Sequence, residues 1–290
     1  MLYYFRKQKV WYAIAIIIGF AIIFLLLYTH SVKVNGVYQE RNLLPFGVNF
    51  YNHTENELFM FLSWFVWYMF CVLFFNHWAR MQWNKLNNIL LIDCDPPRFI
   101  NQVLPLGKKQ NPSNNIYYEV CISLSSAYLA AGHYNDMKVL LDSVYLANFQ
   151  VGHRAQVNKI QYWSDLFSYY LDSSNLDECQ SLLEQMEQTL WKIRGKDKQH
   201  CLYLFNTNKS LYNMELGNYD GAESLLNEIF DSAQNEFERV NTKNTLGGLY
   251  QHFGKTQKAR EAFTYVAEHG NELAVVFKAR EYLKSLVLTR

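Results

Sequence analysis

Gly254-Lys255-Thr256 carries the glycine-lysine-threonine ending of a phosphate-cradling loop, so its spacing is the first chemistry to test. The pattern G-x-x-x-x-G-K-[ST] requires a glycine at residue 249, which is a leucine, while Gly247 and Gly248 come too early. The flanking residues have helical rather than strand periodicity, so Gly254 is expected to be the left-handed residue that ends a helix. His200 and Cys201 are adjacent, but Cys71, Cys94, Cys121 and Cys179 lie far apart, with no C-x-x-C pair and no metal-ligand spacing. An odd set of five cysteines reads as reduced, buried thiols, not a disulfide framework. The eight histidines are scattered, and no H-E-x-x-H, G-x-S-x-G or kinase-like set occurs. Asn52-His53-Thr54 satisfies the glycosylation sequon but stands close to an apolar block beginning at Leu58, and reads as a chance match. The chain is therefore expected to be no enzyme and to need no cofactor and no metal.

Charge narrows the partners. With 27 Lys and Arg against 26 Asp and Glu there is no basic excess of the kind nucleic acid demands. Half of the residues are hydrophobic, yet the mean hydropathy is only −0.16, which means that apolar residues are gathered in blocks. Residues 10–28 run without a charge, and so do residues 58–78. At about 1.5 Å per helical residue each is long enough for a hydrocarbon core of about 30 Å. The reading is a membrane anchor over residues 1–78, with two transmembrane helices at about 10–28 and 58–78 and an extracytoplasmic loop at 29–57. Arg6, Lys7 and Lys9 precede the first block, Lys33 and Arg41 lie in the loop, and Arg80 and Lys85 follow the second. That bias favours a multi-pass cell-membrane protein with both termini in the cytoplasm. Neither block contains Asp, Glu, Lys or Arg, so no ion or proton pathway is expected within them. Ala15 and Gly19, four apart, offer a small-residue notch for another helix.

Beyond the second block, residues 79–91 alternate polar and apolar positions at helical spacing and open a juxtamembrane connector over 79–115. Asp95 is placed to cap a new helix with Pro96 in its first turn. The polar stretch GKKQNPSNN at 107–115 then reads as a loop. From Ile116 to the end four segments repeat one pattern: an aromatic, a small turn residue, then apolar positions at helical spacing. The turn residues are Gly132, Ser174, Gly217 and Gly254, spaced 42, 43 and 37 apart.

This pattern resembles tetratricopeptide repeats, helix-turn-helix units that stack into a superhelix. The last segment matches best, through Leu246, Gly247, Tyr250, Gly254, Ala259, Phe263 and Val266. The second offers Trp163, Leu166, Tyr170, Cys179, Leu183 and Met186, and the first Tyr128, Gly132, Leu141 and Val144, with Met137 at the usual small position. The third keeps Gly217, Tyr219, Ala222, Leu226 and Ile229, but Tyr212 is displaced by one. The resemblance covers residues 116–290. It implies an all-α chain: a transmembrane helical hairpin followed by an α-solenoid of about four repeats plus a capping helix near 272–286.

In the resembling family the first helices of the pairs form a concave wall that holds peptides or partner helices. Carried over by position, this wall consists of Glu119, Ile122 and Ser126 in the first repeat and Gln161, Ser164 and Ser168 in the second. Thr207 and Asn208 stand for the third, and Asn241, Asn244 and Gly248 for the fourth. Asn side chains both donate to and accept from a ligand backbone, which suits peptide recognition. The expectation is a membrane-anchored scaffold or adaptor whose partners are a protein or peptide and the lipid bilayer, with no nucleic acid. A membrane-bound, peptide-responsive regulator is the alternative.

Overall fold

The computed structural model describes residues 6–27, 29–34, 37–42, 53–108, 115–145, 153–195 and 197–288. Asn52 of the sequon and residues 109–114 of the polar stretch lie outside them. The described chain is helical apart from one two-stranded hairpin, and it forms two compact units, Met1–Asn84 and Lys85–Arg290.

In the first unit α1 (Arg6–Leu27) leads to strands β1 (Thr29–Val34) and β2 (Val37–Asn42), followed by α2 (His53–Leu91). The strands pair antiparallel from Thr29↔Asn42 to Val34↔Val37. The all-α class holds, and the hairpin adds strands only within the stretch 29–57 that was expected as a loop. The signal was present, because Asn35-Gly36 between two valines is the dipeptide that two-residue hairpin turns favour. Among the described residues one helix, Phe61–Leu91, is long and apolar enough to cross a membrane, and Val10–Phe24 is a shorter apolar helix. Phe61, Val66, Phe70 and Leu73 on that long helix all stand exposed. So much unburied apolar surface is costly in water and at ease against lipid. The Ala15/Gly19 notch is filled from within: the Trp67 indole lies over Gly19 and donates its N–H to the Ala15 carbonyl at 3.1 Å.

The second unit begins with the end of α2 and α3 (Pro96–Gly107), for which Asp95 caps the N-terminus by accepting from the Arg98 amide at 3.0 Å. Four helix pairs follow among the described residues. They are α4 (Asn115–Ala130) with α5 (Tyr134–Asp142), α6 (His153–Asp172) with α7 (Leu176–Leu190), α8 (Asp197–Glu215) with α9 (Ala222–Ser232), and α10 (Glu236–His252) with α11 (Thr256–His269). A last helix, α12 (Ala274–Leu288), packs on α10 and α11.

Every pair turns in the same way. Gly132, Ser174, Gly217 and Gly254 all have left-handed φ, at 77°, 56°, 76° and 64°. In each turn the next residue's amide reaches back five residues, as in His133 to Tyr128 and Lys255 to Tyr250, both at 2.8 Å. The turn residue's own amide reaches back three, as in Gly132 to Leu129 at 2.9 Å. These paired bonds satisfy carbonyls that a helix end leaves orphaned. In the third pair the bond runs from Asn218 to Asn213, so Asn213 holds the position expected of an aromatic, while the displaced Tyr212 hydroxyl donates to Gln180 Oε1 on α7.

The apolar repeat positions are inside. Met137, Leu141, Cys179, Met186, Leu226, Leu246, Ala259 and Val266 are fully buried, and each larger side chain contributes about 2 kcal/mol by leaving water. The core passes from pair to pair: Tyr162 packs on the clusters of the first and second pairs, and Leu204 on those of the second and the later pairs. The connector is part of this core. Cys94, fully buried, joins the cluster built by α9 to α12, and its carbonyl accepts from the Glu272 amide at 3.2 Å.

Candidate functional site

The first helices pack on one another, α4 against α6 and α6 against α8, and this decides which wall positions remain open. Ile122 is buried beside Tyr118, Cys121 and Val144. Ser164 and Asn208 are buried as well, the Asn208 amide donating to Ser164 Oγ at 3.1 Å across α6 and α8. Those three expected ligand contacts are therefore corrected to contacts between helices. Thr207 is half-buried, with its hydroxyl enclosed close to the Tyr203 hydroxyl.

The other positions reach the surface to different degrees. Glu119 is mostly covered and pairs with Arg154 Nε at 2.8 Å. Ser126 and Ser168 are half-buried and bond to carbonyls of their own helices, Ile122 and Ser164 respectively. Asn241 donates to the Phe237 carbonyl at 2.9 Å, which occupies one of its amide protons. Asn244 is partly exposed, and Gly248 is exposed with open space where a Cβ would stand. The open part of the wall is thus concentrated on α10.

Between the first helices runs a seam of polar side chains that sequence reasoning missed. Ser125 and Ser126 of α4 donate to Asp165 Oδ2 at 2.6 and 2.8 Å. Gln161, one turn before Asp165 on α6, contacts Asp165 Oδ1 at 3.0 Å and His200 Nε2 at 3.1 Å. His200 of α8 in turn meets Glu238 Oε1 of α10 at 3.0 Å. Glu238 Oε2 accepts the Gln234 amide at 2.8 Å, the Glu238 amide bonds to the cap residue Asn235 at 2.9 Å, and the Glu238 carbonyl accepts from Tyr203 and Thr242. All four pairs are joined by this one chain of contacts. Burial pushes the Asp165 carboxyl up to about 6, against the pull of Ser125, Ser126, Gln161 and His200.

Two signals for the seam existed in the sequence. Asp165 interrupts the inward stripe of Trp163, Leu166 and Phe167, and Glu238 stands three residues after Asn235, the spacing of a helix-capping pair. Neither signal names its partner across helices.

Other reactive groups are held inert or bound. The thiols are buried and free, and desolvation lifts Cys179 to about 11 and Cys94 and Cys201 to about 12, so none of these three is a thiolate near neutrality. Lys255 of the rejected phosphate motif pairs with Glu223 at 2.7 Å. Among the described residues no three of His, Cys, Asp and Glu gather as metal ligands. No family model matches the sequence, and no curated protein or solved structure is significantly similar to the chain.

Proposed function

We propose that this chain is a membrane-anchored, non-enzymatic adaptor in which tetratricopeptide-like helix pairs stack as a solenoid and hold a protein or peptide partner. In this reading α1 and α2 both cross the bilayer, the hairpin lies on the extracytoplasmic side, and both termini are cytoplasmic. The supporting observation is the repetition of one left-handed turn at residues 132, 174, 217 and 254, which gives the four pairs a common geometry. Stacked units of that kind present their first helices along one face. On that face Asn244 and Gly248 of α10 are open and chemically suited to a backbone ligand.

The test uses the full-length chain extracted from its native membrane in mild detergent. A partner at stoichiometric yield is expected with the wild type. The double variant Asn244→Arg, Gly248→Arg is expected to lose the partner without melting at a lower temperature, since Gly248 faces open space and Asn244 is partly exposed. Equal yield from the variant, or a wild type that purifies alone, would overturn the reading.

A further inference from the structure

The seam contains three contacts in series, each needing one hydrogen: Asp165 Oδ1 to Gln161, Gln161 to His200 Nε2, and His200 Nδ1 to Glu238 Oε1. Ionised carboxylates supply none. The Gln161 amide offers its NH₂ to one neighbour and its oxygen to the other, and a neutral imidazole carries a single N–H. If the amide donates to Asp165, its oxygen takes the His200 Nε2 hydrogen, and a bare Nδ1 then faces a bare carboxylate oxygen. If the amide is turned over to donate to His200, its oxygen faces bare Asp165 Oδ1 instead. Either way two hydrogens serve three contacts, and one pair of lone pairs opposes at hydrogen-bond distance.

We infer that the seam is a proton-binding site: Asp165, Gln161, His200 and Glu238 together hold one proton beyond those of ionised carboxylates and a neutral imidazole. With that proton on Asp165, on His200 or on Glu238, all three contacts become hydrogen bonds. The ionisable groups that meet there are Asp165 from α6, His200 and Tyr203 from α8, and Glu238 from α10, with Asp197 one turn before His200 on α8. The upward displacement of the Asp165 carboxyl agrees with a proton held in this seam. Loss of the proton sets two acceptors against each other, either His200 against Glu238 between α8 and α10 or Gln161 against Asp165 on α6, so binding the proton lets every contact that joins α6, α8 and α10 form at once. The inference stands whether or not the open face of α10 takes a partner.

The unfolded chain keeps its Asp and Glu ionised and its His neutral near pH 7, so the folded state binds the extra proton and stability falls as pH rises. Two substitutions remove the need for it. Glu238→Gln supplies an N–H to His200 Nδ1 and keeps an oxygen for the Gln234 amide, and Asp165→Asn supplies an N–H to a turned Gln161. The test is the thermal midpoint of the full chain in detergent between about pH 5 and about pH 8. The wild type is expected to lose stability across that range, and both variants are expected to be flat and to overtake it at the alkaline end. A flat wild type, or variants that are weakened equally at every pH, overturns the inference. Ring ¹⁵N spectra of the unmodified chain, with His200 assigned from His200→Gln, give a second readout. At pH 7 a charged ring is expected, or a neutral ring with either the Asp165 or the Glu238 carboxyl protonated in ¹³C spectra. A neutral ring alongside ionised Asp165 and Glu238 carboxylates overturns the inference without any folding variant.

Discussion

Asn271 reaches back 178 residues to donate its side-chain amide to the carbonyl of Asp93 at 2.8 Å. Next to it the Glu272 amide bonds to the Cys94 carbonyl, so the connector and the α11–α12 junction are stitched by two adjacent bonds. Asn271 and Cys94 both sit in left-handed backbone, at φ 47° and 51°, which costs an ordinary residue about 1–2 kcal/mol. Asn tolerates that conformation better than Ala, and Gly better still. Asn271→Ala is expected to lose about 1–2 kcal/mol and Asn271→Gly distinctly less, because only the alanine variant adds backbone strain to the lost hydrogen bond. Urea midpoints of the two variants check this, and an alanine variant as stable as the wild type would contradict it.

Gly247 and Gly248 are neighbours on α10 with opposite surroundings. A Cβ at Gly247 would stand 2.8 Å from the Phe263 ring of α11, whereas one at Gly248 meets nothing within 4 Å. Replacing a helical glycine by alanine ordinarily stabilises by about 1 kcal/mol. That gain is expected for Gly248→Ala, while Gly247→Ala is expected to cost about 1–3 kcal/mol as the helices are forced apart. The same denaturation measurement on both variants decides it. Two gains would mean that Phe263 moves aside freely.

These glycines show how far the sequence could be read. The turn positions were legible because a left-handed helix end needs a small or flexible residue, and helical periodicity on either side fixed where it fell. Gly247 was legible as a member of the repeat pattern, but the Phe263 ring that packs against it was not. The stacking of first helices was not, because burial of Ile122, Ser164 and Asn208 depends on how closely neighbouring pairs approach, and no local pattern encodes that distance. The seam was hidden for the same reason: Asp165 and His200 lie 35 residues apart in the chain and are joined only through Gln161.

Glu223 on α9 meets Lys255 and Lys258 at 2.7 Å each and accepts from the Tyr250 hydroxyl at 3.2 Å. The two ammonium groups hold its carboxyl at about 2, below the ordinary value of 4.5. A folded-state value below the unfolded one means that the contribution is full above about pH 4.5 and fades as pH falls toward about 2. Glu223→Gln is expected to flatten the acid limb of the stability profile over that interval. Because the cluster is largely solvated, added salt is expected to shrink the difference between variant and wild type. An unchanged acid limb at low salt would show that the cluster does not couple α9 to α11.

The buried thiols make cysteine chemistry a clean reporter of topology. None of the five native cysteines is exposed, so the wild-type chain is expected to resist a membrane-impermeant maleimide until it unfolds. Against that background Pro45→Cys is expected to be labelled on intact cells and Arg290→Cys only after lysis. The reverse pattern would put the helix pairs outside the cell, and labelling of both on intact cells would remove the bilayer from between them.

Trp67 also bears on how many copies of the chain stand side by side. Small residues at i and i+4 usually act as an adhesive strip by which two identical helices come together, but Ala15 and Gly19 already hold an indole whose N–H is bonded to the helix it covers. A second copy seeking that strip would have to evict the ring and leave its N–H without the Ala15 carbonyl. The strip is spent on the chain itself, and assembly through α1 starts with that debt.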